Sequence, residues 1–181
     1  MNKTSLFAAL IAVFLLSNCD NSNSRQKVLS APVLKASKMT ITTTTLPSDV
    51  VMAQYILLKN AFVNDAVSKV KEQLQSFNLM VNSQLAAEGA ELQKQTLING
   101  IAELIKAMQS QAFEEQRETF IKLTQVMIQW NEAYPGQEKL YMQYCPMYKG
   151  GHYWLSMEEQ VLNPYYGSKM LRCGVVEKTL N

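Results

Sequence analysis

Histidine is nearly absent from this chain: His152 is the only one in 181 residues. Cysteine occurs three times, at Cys19, Cys145 and Cys173, and no two of them form a C-x-x-C pair. A Ser/His or Cys/His hydrolase needs a base in reach of its nucleophile, and one histidine with no neighbouring nucleophile argues against that class. Dithiol oxidoreductases exchange through closely spaced thiols, and structural zinc sites use closely spaced cysteine pairs, so both patterns are missing. A surplus of one charge is also missing. Seventeen Lys and Arg face fifteen Asp and Glu, interspersed, for a net charge of +2. A nucleic-acid binder carries a basic stripe, so nucleic acid is not an expected partner. No glycine-rich phosphate loop stands among the seven glycines. Glu158-Glu159 is a carboxylate pair that reads as a solvated face. These absences point away from an enzyme and toward a binding or structural role.

Only one long apolar run exists, Leu6 to Leu16, preceded by Lys3. It suits a signal-peptide core but is short for a bilayer span, which needs about 20 apolar residues. Leu16-Ser17-Asn18-Cys19 follows and resembles a lipobox, with Asn18 where Gly or Ala is usual. Residues 1–18 are therefore expected to be a lipoprotein signal peptide and Cys19 the lipid-bearing residue that attaches the chain to the membrane. The expected location is the cell envelope, facing the periplasm. Asp20 directs the lipoprotein to the inner membrane if the enteric retention rule applies, and otherwise the outer membrane is expected. Residues 19–45 are polar and rich in Ser, Thr and Asn, as in a flexible tether.

From residue 46 onward the pattern is helical. Leu46-Pro47-Ser48-Asp49 starts a helix, with Ser48 or Asp49 as cap candidates and Val50 to Val63 as its body. Asn64-Asp65 breaks it or caps the next one. Val63, Val67, Val70, Leu74, Phe77 and Val81 recur at steps of three and four, one face of a second helix. Glu88-Gly89 is a turn. Leu97, Ile101, Leu104 and Met108 form a third stripe. Ser110 is a cap candidate for a fourth helix, faced by Phe113, Phe120, Leu123, Met127 and Trp130 and stopped by Pro135-Gly136. Four such helices with short connections predict an all-α fold, an antiparallel four-helix bundle. Met108 and Met127 are core at this spacing, not ligands.

From about residue 140 the chain is aromatic, aperiodic and punctuated by Gly and Pro. The reading is an irregular Cys/Met-rich C-terminal cap within the 46–181 domain. Leu155 to Gln160 reads as a helical turn capped by Ser156 with Glu159. Asn163-Pro164 and Gly167 mark turns, His152 sits in a Gly150-Gly151 loop, and Val175-Val176 suits a short strand.

The cap holds the one constellation that carries chemistry. Cys145-x-Met147 and Met170-x-x-Cys173 offer two thiols and two thioethers, soft donors that favour Cu(I) and Ag(I) over hard ions. His152 is a weaker fifth donor. The alternative is a Cys145–Cys173 disulfide, the default for a cysteine pair in an oxidising compartment. It would stabilise the fold by about 2–4 kcal/mol, with Met147 and Met170 packed on aromatic rings.

Tyr144-Cys145-Pro146-Met147, Trp154-Leu155-Ser156, Asn163-Pro164-Tyr165-Tyr166-Gly167 and Met170-Leu171-Arg172-Cys173-Gly174 occur in that order. Together with Arg117-Glu118-x-Phe120 this string resembles domain-of-unknown-function family 3347 over roughly residues 50–178. The resemblance implies an exported helical domain. It also implies an association with RND-type copper/silver efflux systems, whose periplasmic adaptor subunits carry the same domain. Many relatives place His before the CPM cysteine; Tyr144 stands there here and removes a candidate nitrogen ligand.

Overall fold

The computed structural model describes residues 47–86 and 89–180. The signal peptide of residues 1–18, the lipid-bearing Cys19 and the tether of residues 19–45 lie outside the described residues.

Four helices come first: α1 (Pro47–Val63), α2 (Val67–Leu85), α3 (Leu92–Gln109) and α4 (Phe113–Ala133). Each packs on the next in sequence, and α4 also returns against α1. Helix α1 opens at Pro47, whose missing N–H costs nothing at a helix start. Ser48 and Asp49, the cap candidates, are thus the second and third residues of the helix. It buries Val51, Tyr55, Leu58 and Phe62, which lie on more than one side of the helix. That is the burial expected of a helix between α2, α4 and the cap.

The second stripe is buried from Val70 through Val81, but Val67 is 58 % exposed because α2 only begins there. On α3 the buried line is Ile98, Ile101, Ile105 and Met108, so Leu97 and Leu104 flank the core as half-buried residues. Ser110 ends α3, donating its hydroxyl to the Ala107 carbonyl at 3.1 Å. The start of α4 is served instead by Glu115, whose carboxylate accepts the Ala112 N–H at 3.1 Å. Phe120, Leu123, Met127 and Trp130 of α4 are fully buried.

The cap corrects the all-α expectation. Residues 140–180 form a three-stranded antiparallel sheet of order β2-β1-β3, from β1 (Leu140–Cys145), β2 (His152–Ser156) and β3 (Val175–Leu180). The protein is mixed α+β. Tyr141, Gln143 and Cys145 alternate on one buried face of β1, the period-2 pattern of a half-covered strand. His152 is the first residue of β2 and the register partner of Cys145, not a loop residue. Leu155 and Ser156 finish that strand, so the expected helical turn there does not form. The Ser156 hydroxyl instead accepts the Glu158 N–H at 3.2 Å, two residues on. Val175-Val176 opens β3 as expected, with a bulge opposite Met142 and Gln143.

The sheet lies on α1 and α4. Tyr55 of α1 joins the layers: its hydroxyl lies 2.9 Å from the Thr124 hydroxyl and accepts the Leu155 N–H at 3.2 Å. Buried Lys59 donates to the Ser156 hydroxyl and to the Glu158 carboxylate, both at 3.2 Å.

Candidate functional site

Cys145 ends β1, and the chain must then reverse into β2. Lys149, Gly150 and Gly151 do so with φ of 44°, 92° and 102°. At Gly151 a Cβ would lie 2.8 Å from the Tyr144 ring carbon that bears the hydroxyl, so the turn and Tyr144 fit only with glycine there. This geometry leaves Met147 at the outer corner of the turn, 61 % exposed. Its backbone is held by Tyr166, whose hydroxyl donates to the Met147 carbonyl at 2.9 Å.

Cys173 arrives from the other direction, on the segment between the 3-10 turn Gly167–Lys169 and β3. Buried Asn163 positions that segment. Its side-chain amide donates to the Cys173 carbonyl at 2.7 Å, and its backbone N–H donates to the Leu171 carbonyl at 2.7 Å. Its side-chain oxygen accepts the N–H groups of Tyr165 and Tyr166 at 2.8 and 3.1 Å. The Cys173 N–H closes a turn onto the Met170 carbonyl at 3.0 Å. Gly174 then passes close to β1 with φ of 145°; a Cβ there would lie 2.8 Å from both the Trp154 ring and the Tyr144 carbonyl. That close approach lets Cys173 reach the end of β1.

The two sulfurs meet: Cys145 Sγ and Cys173 Sγ lie 2.9 Å apart. Cys145 is fully buried and Cys173 partly exposed. The hydrogen bond with Cys145, together with burial, pushes the Cys173 thiol up to about 11. Above the pair runs an open groove of about 710 Å³ lined by Tyr144, Pro146, Met147, Met170, Cys173 and Val175, among others. Met147 and Met170 (37 % exposed) therefore share one groove with Cys173. Neither is buried in the aromatic layer, which counts against a role as core filler.

His152 stands apart from these. Its ring lies edge-on between Tyr148 and Tyr165, with centroids 6.2 and 6.1 Å away, outside the groove lining. Among the described residues no three His, Cys, Asp or Glu side chains converge as a metal cluster. The donors gathered here are thiol and thioether, a set that suits soft monovalent ions.

The remaining motif residues hold the scaffold beneath the groove. Buried Arg117 on α4 donates to the Pro164 carbonyl, to the Asp65 carboxylate and, at 3.2 Å, to the Phe62 carbonyl. Its guanidinium also lies over the Phe113 ring, 4.7 Å from the centroid. Asp65 accepts the Ser168 N–H at 2.8 Å. Burial works against the charged form of Asp65, but the Ser168 hydrogen bonds and the Arg117 charge outweigh it and hold the carboxyl below its ordinary range. Gly167 is required beside that carboxylate, because a Cβ would strike it. Tyr165 is buried with its ring stacked 5.1 Å from Tyr148, and its hydroxyl donates to the Tyr153 carbonyl. Asn163 and the Arg117–Asp65 pair are not candidate site residues by sequence. Asn163 and Arg117 stand in the ordered motif string, but nothing in the sequence marked Asp65, since its partners lie on distant segments.

No curated protein and no solved structure matches the chain. Residues 51–139 match the family described as "Protein of unknown function (DUF3347)". The matched span covers the four helices and stops just before β1, so the Cys/Met groove lies beyond it. Residues 51–139 of this chain are therefore a DUF3347 domain.

Proposed function

We propose that this is a non-catalytic, lipid-anchored accessory protein of the cell envelope that binds Cu(I) or Ag(I) in metal efflux or homeostasis. Its four helices form an antiparallel bundle, and the sheet they carry presents the metal groove. Cys145, Met147, Met170 and Cys173 are the ligands, and His152 lies too far into the aromatic layer to be a principal one. The observation that carries the reading is the 2.9 Å approach of the two cysteine sulfurs beneath a groove that Met147 and Met170 share. Soft sulfur donors in an apolar surround favour a soft ion of low charge. The lipid on Cys19 ties the protein to the membrane, and an RND-type metal efflux system is its partner.

A Cu(I) competition titration against a calibrated chelator tests this reading on the reduced and the oxidised chain. Tight one-to-one binding by the reduced form, weakened at least about tenfold by Met170→Leu or Cys173→Ser, is expected. Absence of binding above the chelator in both forms would overturn it. The same sulfur contact favours a second reading, a structural or interaction module stapled by a Cys145–Cys173 disulfide and holding no metal. Under that reading each cysteine replacement lowers stability and no metal affinity is found.

A further inference from the structure

We propose that the Cys145–Cys173 pair reduces Cu(II), and that Met147 and Met170 hold one of the two Cu(I) ions it produces. The proposal rests on the soft-metal reading above and assigns different work to the two kinds of sulfur.

The arrangement separates an electron source from a seat. Among the described residues Cys173 is the only cysteine that lines the groove; Cys145 lies behind it, fully buried, with its sulfur 2.9 Å away. A metal ion in the groove therefore meets Cys173 first, while Cys145 is placed to close onto it. Joining the two sulfurs calls for little movement of the chain, because Asn163 and Gly174 already hold Cys173 against the end of β1. The thioethers have no proton to lose and prefer Cu(I) to Cu(II). Both lie on the same groove, where Pro146, Leu171 and Val175 supply an apolar lining that favours the ion of lower charge. Tyr166 holds the Met147 backbone, and the Cys173 N–H holds that of Met170. Both thioethers are thereby kept at the groove whether or not the sulfurs are joined.

The step balances without any other reactant. One Cu(II) binds the Cys173 sulfur, whose proton leaves to solvent, and takes one electron. The Cys145 sulfur loses its proton and bonds to the Cys173 sulfur, and the second electron passes to a second Cu(II). Two Cu(II) and two thiols become two Cu(I), one disulfide and two protons. Copper in an oxidising compartment arrives as Cu(II), whereas thiols and thioethers suit Cu(I). The pair supplies the missing electrons once per reduced state.

The test uses the full chain in detergent with Cys19→Ser, so that two thiols remain, reduced and kept under argon. Two equivalents of a Cu(II) salt are added; Cu(I) is read with a chromogenic chelator and remaining thiols by thiol titration. The proposal expects two Cu(I) formed per chain, loss of both thiols and an intramolecular disulfide by mass. Cys145→Ser and Cys173→Ser should each slow the reduction at least about tenfold, since each can then close only with a second molecule. Met147→Leu combined with Met170→Leu should lose its copper on gel filtration. Survival of the thiols in Cu(II), or an unchanged rate in both single-cysteine variants, would overturn the proposal. Ag(I), which binds soft sulfur without oxidising it, is titrated in parallel. Retained Ag(I) with no Cu(II) reduction overturns the proposal and leaves the soft-metal reading standing. No Ag(I) retained overturns both.

Discussion

Gly174 sets the distance between the two cysteines. Any side chain at this position meets the Trp154 ring on one side and the Tyr144 carbonyl on the other, each 2.8 Å from where its Cβ would stand. Gly174→Ala is expected to cost about 1–3 kcal/mol, the range for overpacking a tight site. It should also move Cys173 away from Cys145. A denaturant midpoint checks the first effect, and a slower formation of the disulfide in a glutathione buffer checks the second. The Cys173 thiol supplies a further expectation. Pushed up to about 11 by its hydrogen bond with Cys145 and by burial, it is protonated at neutral pH and must lose that proton to bind a metal. Cu(I) affinity should then rise about tenfold per pH unit for this proton between pH 6 and 9. A competition titration at several pH values would read it, and a flat profile would remove Cys173 from the ligand set.

At the scale of elements, Arg117 ties α4 to the α1–α2 turn and to the Asn163-Pro164 loop. Its removal takes the guanidinium donor from the Pro164 carbonyl, and leaves the Phe62 carbonyl and the Asp65 carboxylate only the backbone N–H groups of Asp65 and Ser168. Arg117→Met is expected to cost about 3 kcal/mol, the low end for breaking a buried pair, because Asp65 is 34 % exposed and partly solvated. Thermal unfolding reads this directly. The same contacts make the cap sensitive to acid. Both Asp65 and Glu158 are depressed below the ordinary carboxylate value. In each, burial opposes the shift, and hydrogen bonds together with Arg117 or Lys59 outweigh it. For a depressed carboxyl the unfolded chain binds the proton more readily, so its contribution is present above the unfolded value. It is lost as pH falls through the ordinary range and below. Unfolding midpoints should therefore drop below about pH 4.5, and Asp65→Asn should flatten part of that decline.

Across the whole molecule, helices and sheet were unequally legible in the sequence. The helical stripes rest on contacts three and four residues apart, which local spacing records, and Phe77, Ile101, Phe120 and Met127 are buried as that spacing implies. Where it misled, at Leu97 and Leu104, the face was right to within one residue, and Val67 is exposed because α2 only begins there. The sheet was hidden because its strands are short and one of them, β3, pairs with β1 across about thirty intervening residues. Pro146, Gly150 and Gly151 looked like marks of irregular chain, yet they are the turn between two strands.

The candidate site divides along the same line. Residue chemistry alone restricted it to thiol and thioether donors, because one histidine and three cysteines leave few other choices. Sequence order kept Cys145 and Cys173 in separate motifs, 28 residues apart, and did not say whether they meet. That question belongs to tertiary structure. Strand pairing places Cys145 at the end of β1, the Asn163 hydrogen bonds carry Cys173 to it, and the bare Cα of Gly174 allows the final approach. Composition and periodicity act locally and can be read along the chain. The meeting of two sulfurs depends on long-range pairing, which exists only once the sheet has closed on the helices.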